Sequence, residues 1–186
     1  QIVSAVDMGI GGLLNKRYQH YLTSQIEHIY IHDSLTGLYN RLGFNSEFEK
    51  MTKRVRKKKG IVTVVLADLD GLKGINDNYG HAAGDNAIHT VAQALKNSCP
   101  EEALCVRFGG DEMFAIMEGN YDIGLIRKRM QNWLEDYNGR AGNSYTVSAS
   151  LGILITNETE ELEFEDLLKR ADELMYQEKH RKRKQF

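Results

Sequence analysis

Four carboxylates stand at two places in the chain where their type and spacing suit metal-assisted chemistry. Asp68 and Asp70 end the apolar run Ile61-Val62-Thr63-Val64-Val65-Leu66-Ala67, and Asp111 and Glu112 follow Gly109-Gly110 between two further apolar runs, 103–108 and 113–117. Both pairs fall at the ends of extended elements that one sheet can bring together. Convergent carboxylates need a cation, and hard oxygen donors suit Mg²⁺, which takes one or two carboxylates and completes its shell with water and substrate phosphates. Such a set is fitted to phosphoryl transfer. Taken singly, each pair reads more readily as a turn cap or a surface ion pair, because acidic side chains are mostly exposed. The metal reading rests on their joint occurrence.

The elements that must position these acids follow from periodicity. The β-branched run 61–67 predicts a buried central strand with Asp68 at its C-terminal end. The runs 103–108 and 113–117 predict a hairpin with Gly109-Gly110-Asp111-Glu112 at its tip. Apolar spacings of three and four predict helices at Phe44-Phe48-Met51, Ala87-Ile88-Val91-Ala92-Leu95, Ile123-Ile126-Met130-Trp133-Leu134-Tyr137 and Phe164-Leu167-Leu168-Ala171-Leu174-Met175. Tyr145 to Ile155 has strand composition. Between Asp70 and Ala87 the sequence reads as a polar, glycine-bearing loop, and the basic run Lys53 to Lys59 as a solvated loop closed by Gly60. Residues 13–31 carry Tyr18, Leu22, Ile26 and Ile29 on one helical stripe, behind a glycine-bearing start at Gly9, Gly11 and Gly12.

A chain of 186 residues with 41% hydrophobic and 27% charged residues is an ordinary globular domain, neither disordered nor fibrous. The net charge of −2 points to no nucleic-acid partner and no membrane surface. Cys99 and Cys105 are too few for a disulfide framework and lack metal-ligand spacing. No apolar run is long enough to span a bilayer and no signal peptide is present, so a cytoplasmic location is expected. The chain opens on Gln1, as expected of a segment of a longer protein such as a membrane-bound sensor, with a sensory domain upstream.

Five segments carry a resemblance. Asp33-Ser34-Leu35-Thr36-Gly37-Leu38-Tyr39-Asn40-Arg41 is similar to DxLTGLxNR, Asp68 through Asp77 to DxDxFKxIND, and Gly80-His81-Ala82-Ala83-Gly84-Asp85 to GHxxGD. Arg107-Phe108-Gly109-Gly110-Asp111-Glu112-Met113 resembles RxGGDEF, and Ala171 through Lys179 resembles ADxALYxAK. In this order they resemble the GGDEF family of diguanylate cyclases, far more specifically than any one short motif would.

The resemblance implies an α/β fold of the α+β kind: a central, mainly antiparallel sheet flanked by helices, akin to nucleotidyl cyclases and the polymerase palm. Residues 1–32 would be a linker or stalk helix, and residues 33–186 the catalytic domain. It implies condensation of two GTP into cyclic di-GMP with release of two pyrophosphates, Mg²⁺-dependent with Mn²⁺ as an alternative, at the interface of a homodimer. Asp68, the Leu69 carbonyl, Asp111 and Glu112 would hold the metal; Asp111, Glu112 and Lys73 would be catalytic. Asn76 and Asp85 would read guanine, and His81, Gly109, Gly110, Lys179 and Arg183 would complete the substrate site. Plainer roles stand beside these: Asp85 as a helix N-cap, His81 as loop support, the glycines as a tight turn.

The chain departs from the family pattern in several places. Met113 and Leu72 replace phenylalanines, a swap that keeps apolar bulk. Arg183 lies in His-Arg-Lys-Arg-Lys where the family has GRN. Where many relatives carry an RxxD product-inhibition site, this chain has Pro100-Glu101-Glu102-Ala103, so feedback there is not expected. The alternative to an active cyclase is a weak or inactive GTP-binding regulatory domain, which would be expected to lose one of the acids; none is lost. The helical stripe near the N-terminus suits either pairing with a second copy or packing on its own domain.

Overall fold

The computed structural model describes residues 15–22, 29–157 and 163–183, the last three of these as helical backbone. Four strands, β1 (Val62–Leu69), β2 (Leu104–Gly109), β3 (Glu112–Glu118) and β4 (Ala149–Thr156), form one sheet in the order β2-β3-β1-β4, every pair antiparallel. Around it lie α1 (Arg41–Lys58), α2 (Leu72–Tyr79), α3 (His81–Ser98), α4 (Ile123–Ala141) and α5 (Phe164–Arg183).

Strand β1 is central because both its faces are apolar. Val62, Val64 and Leu66 join Phe44, Val55, Phe114 and Ala171 in a core under α1 and α5. Val65, Ala67 and Leu69 join Ile88, Val91, Met113 and Met130 in a second core under α3 and α4. The period-two alternation thus feeds two cores, and each fully buried Val or Leu contributes about 1.5–3 kcal/mol. A strand so held is a fixed platform for what stands at its end. Met113, in place of phenylalanine, is fully buried and fills the second core.

Three expectations are corrected. The segment after Asp70 is not one loop, because Leu72–Tyr79 forms α2 and α3 begins already at His81. The basic run Lys53 to Lys59 is the last turns of α1, its cations favoured by the negative end of the helix dipole, with Lys59 ending it in the left-handed conformation (φ 47°). Strand β4 starts at Ala149, not Tyr145. Near the N-terminus, residues 15–22 and 29–31 are helical, while Ile26 and Gly9, Gly11 and Gly12 lie outside the described residues. Tyr18 and Ile29 are 59% and 75% exposed, so these two side chains of the stripe are not buried against their own domain.

Helix α5 crosses β4 closely at Gly152, where a Cβ would stand 1.9 Å from the Ala171 carbonyl oxygen and 2.9 Å from Met175 Cβ. Neither neighbour is a flexible tip. Gly152→Ala is therefore expected to destabilise the domain by about 1–3 kcal/mol, a fall in Tm of several degrees that a thermal melt would register. An unchanged melt would mean that helix and strand are not in this contact.

Candidate active site

The ends of β1 and β3 bring the two acid pairs together. Asp68 is the direct cross-strand partner of Glu112, and Asp111 occupies the hairpin tip beside it. In an antiparallel pair such partners share a face with Cβ atoms about 4.5–5.5 Å apart. Burial pushes the Asp68 carboxyl above its ordinary value of 3.8; Lys179 draws it back, and the charges of Asp111 and Asp70 push it up again. The Lys179 ammonium, from α5, hydrogen-bonds the Asp68 carboxylate. A carboxylate crowded by its own kind and matched by one ammonium is a place where a cation is favourable. Among the described residues no three His, Cys, Asp or Glu side chains gather as a complete metal cage. The direct cross-strand pair Asp68 and Glu112 can supply the one or two carboxylates that Mg²⁺ takes from a protein.

The first acid pair divides its work. Asp70 accepts from Ser150 Oγ at 2.7 Å and Ser148 Oγ at 3.2 Å, and its N–H donates to the Ser148 carbonyl at 2.9 Å. It pins the start of β4 to the end of β1. Leu69 is buried between the two acids.

At the tip, Gly109 (φ 156°) and Gly110 (φ 54°) adopt backbone that side-chain-bearing residues avoid, and a Cβ on either would face open space within 4 Å. Arg107 holds this turn: Nε and Nη2 donate to the Gly110 carbonyl at 3.1 and 2.8 Å, and Nη1 to both Asp33 carboxylate oxygens at 3.0 and 3.2 Å. Asp33 also accepts from the Thr36 N–H at 2.9 Å and hydroxyl at 2.7 Å. Tyr39 runs beside β2, taking the Arg107 N–H and donating to the Cys105 carbonyl. The opening motif is thus a clamp on the hairpin.

Burial alone would raise the Asp33 carboxyl, but its hydrogen bonds to Thr36 and Arg107 and the Arg107 charge bring it net below the ordinary 3.8. A depressed acid stabilises the fold above its unfolded value and loses that contribution as pH falls through the folded value. Asp33→Asn should therefore lower Tm between about pH 5 and 7, with the gap to the unsubstituted chain closing toward about pH 2. A gap that stays constant across that range would remove the charge from the explanation.

The remaining residues named from the sequence lie on α2, α3 and α5. Lys73 is exposed on the first turn of α2 and His81 is the exposed first residue of α3. Asp85 lies inside α3, whose N-cap is Gly80, so the capping role is excluded and its carboxylate is exposed. Asn76, half-buried on α2, lies over Gly84: a Cβ there would stand 2.0 Å from Asn76 Oδ1. Arg183 ends α5, and its side chain lies outside the described residues.

Two positioning groups were not singled out from the sequence. Glu178 accepts from the Leu151 N–H at 3.1 Å and pairs with Arg127, which also donates to the Leu151 carbonyl at 3.2 Å. Together they fix the turn of α5 that carries Lys179. Gly84 makes room for Asn76; its signal in the sequence is a glycine early in a helix, where it costs about 1 kcal/mol against alanine.

Comparison with known proteins decides the family. The family model described as diguanylate cyclase, GGDEF domain, matches residues 30–185. This chain belongs to the GGDEF family. It is 33% identical over 148 residues to diguanylate cyclase DgcS of Shewanella oneidensis, covering 79% of this chain and 49% of that protein. It is 32% identical over 155 residues to diguanylate cyclase VdcA of Vibrio cholerae, covering 80% and 44%. The GGDEF chain thus spans about half the length of these relatives. The coiled coil and GGDEF domain of DgcB from Caulobacter crescentus, solved with c-di-GMP, superposes with a TM-score of 0.75 at 21% identity, over 97% of this chain and 95% of that one, which is a likeness of fold. No helix among the described residues is long and apolar enough to cross a membrane.

Proposed function

We propose that this GGDEF domain is an active diguanylate cyclase, condensing two GTP into cyclic di-GMP and two pyrophosphates. The observation that supports the proposal is the pairing of Asp68 with Glu112 across the adjoining ends of β1 and β3, with Asp111 at the hairpin tip near enough for its charge to act on Asp68 and Lys179 hydrogen-bonded to Asp68 from α5. One divalent cation, Mg²⁺ or Mn²⁺, would be held by Asp68, the Leu69 carbonyl, Asp111 and Glu112, and offsets triphosphate charge when bound. Asn76 and Asp85 take the guanine: a carboxylate accepts from its N1–H and 2-amino group, and an amide both donates and accepts. Gly109 and Gly110 let backbone approach the nucleotide. Lys73, Lys179 and Arg183 meet the phosphates, and His81, at the start of α3, completes the substrate site.

The reaction balances as two identical steps. The 3′-oxygen of one GTP forms a bond to the α-phosphorus of the other, the bond from that phosphorus to pyrophosphate breaks, and Asp111 receives the hydroxyl proton. Each domain presents one GTP, so two domains must face each other with reacting atoms about 3–3.5 Å apart. The exposed Tyr18 and Ile29, with Leu22 and Ile26, are the pairing surface we assign, continuing toward an upstream sensory domain. The domain begins at residue 33 in this reading, with 1–32 as its stalk.

Activity per molecule should then rise with protein concentration. A parallel coiled coil fused ahead of Tyr18 should raise it further. A specific activity that stays flat over a wide dilution series, in a chain shown by ultracentrifugation to be monomeric, contradicts the two-domain reaction.

A further inference from the structure

The loop between α4 and β4 reaches both helices that carry the base readers. Tyr145 packs its ring on that of Tyr79, at the end of α2, with centroids 5.2 Å apart. Its hydroxyl donates to the Ala83 carbonyl at 3.3 Å, in the first turn of α3, and accepts from Asn86 Nδ2 at 3.1 Å. Tyr79 answers by donating its own hydroxyl to the Ser144 carbonyl at 2.9 Å. Asn86 Nδ2 also reaches the Tyr137 hydroxyl at 2.7 Å, which accepts from Asn143 at 3.2 Å. The network therefore joins the end of α2, the start of α3, the end of α4 and the loop after it.

These contacts bracket the readers without involving them. Asn76 lies one turn before Tyr79 on α2, while Asp85 lies between Ala83 and Asn86 on α3. One base can be read by both only if the two helices keep a fixed relation, since productive geometry tolerates about 0.5 Å of error. Gly80, between them, has positive φ (85°); its N–H donates to the Asn76 carbonyl at 2.9 Å and its carbonyl accepts from the Ala83 and Gly84 N–H groups at 3.1 and 3.3 Å. The tyrosine network adds a brace from outside that junction.

We propose that Tyr145, seconded by Asn86, is a positioning residue that braces α2 against α3 and so sets the preference for guanine over adenine. The proposal rests on the reading of Asn76 and Asp85 as the base-reading pair. Tyr145→Phe keeps the ring on Tyr79 and removes both hydroxyl hydrogen bonds; Asn86→Ala removes one of the two, its own to Tyr145, together with its bond to Tyr137.

The test is calorimetric binding of the α,β-methylene analogues of GTP and ATP, whose α,β linkage cannot be cleaved, to the unsubstituted chain, Tyr145→Phe, Asn86→Ala and Asp85→Ala, each with a thermal melt. Tyr145→Phe and Asn86→Ala should weaken the guanine analogue by about tenfold, the worth of one net hydrogen bond, and leave the adenine analogue and the melt nearly unchanged. Asp85→Ala should abolish the preference. If Asp85→Ala does so while Tyr145→Phe and Asn86→Ala keep the unsubstituted preference, the brace is refuted and the base-reading pair survives. If Asp85→Ala keeps the preference, the pair itself is wrong and the brace falls with it. A parallel loss of both analogues together with a lowered melt would make Tyr145 a stability residue only, and would also overturn the proposal.

Discussion

Asp68→Asn is expected to lower cyclic di-GMP formation by about a thousandfold or more, roughly 4 kcal/mol at tenfold per 1.36 kcal/mol, which is the scale of charge stabilisation a bound cation supplies. The exchange keeps volume and removes the charge that stands across from Glu112 and under Lys179. Stability should not follow activity. A carboxyl held above its ordinary value makes ionisation costly in the folded state, so at neutral pH the amide should leave the metal-free melt equal or higher. Such a split, activity lost and stability kept, marks a functional site held against the preference of the fold. Asp111→Asn and Glu112→Gln should behave alike in activity, because each removes one carboxylate of the same set. Product measured by mass, beside circular dichroism of each variant, checks this. Full activity in any of the three with unchanged dichroism removes that acid from the metal assignment.

Gly84→Ala is expected to raise the KM for GTP by about 10- to 100-fold, with little change in the melt. Its Cβ would fall 2.0 Å from Asn76 Oδ1 and 3.1 Å from Leu72 Cδ1, both the ends of side chains. The helix backbone can keep its place; the Asn76 amide cannot. Displacing it forfeits one or two hydrogen bonds to the base, each worth about 0.5–1.5 kcal/mol net, and leaves buried polar groups without partners, which is how sites built on hydrogen bonds lose discrimination. Alanine is also the better helix former by about 1 kcal/mol, so any loss of GTP affinity is not a loss of helix. Kinetics with GTP and ATP would decide it: an unchanged KM for GTP means that Asn76 does not read the base from this position.

Much of this was legible in the sequence, for reasons that differ by element. Strand β1 announces itself because all but one of its residues are buried, and each of these is apolar or β-branched, and the hairpin because glycines with positive φ sit between two apolar runs. Helix α2 was not legible. It is short, buries only Ile75, and is written in Gly74, Asn76, Asp77 and Asn78, residues that favour turns when read locally. Tyr145 and Val147 imitate the alternation of a strand, yet Val147 is buried by the core cluster under α4 and Tyr145 is turned to α2 and α3. For the acids, spacing puts Asp68 and Asp70 on one face. Only the register reveals that Asp68 meets Glu112 while Asp70 is taken by Ser148 and Ser150. Likewise Arg107 and Asp33 lie 74 positions apart, a distance that local patterns do not bridge.

The most direct test of the central claim is to incubate the purified chain with Mg²⁺ and either GTP or ATP, at a concentration high enough to pair domains, and to identify the products by mass. Cyclic di-GMP and pyrophosphate from GTP, with no cyclic dinucleotide from ATP and no product once the metal is chelated, is the predicted result. GTP bound but recovered intact at every concentration would contradict it, and would make this domain a nucleotide-binding regulator in which the same acids hold GTP without turning it over.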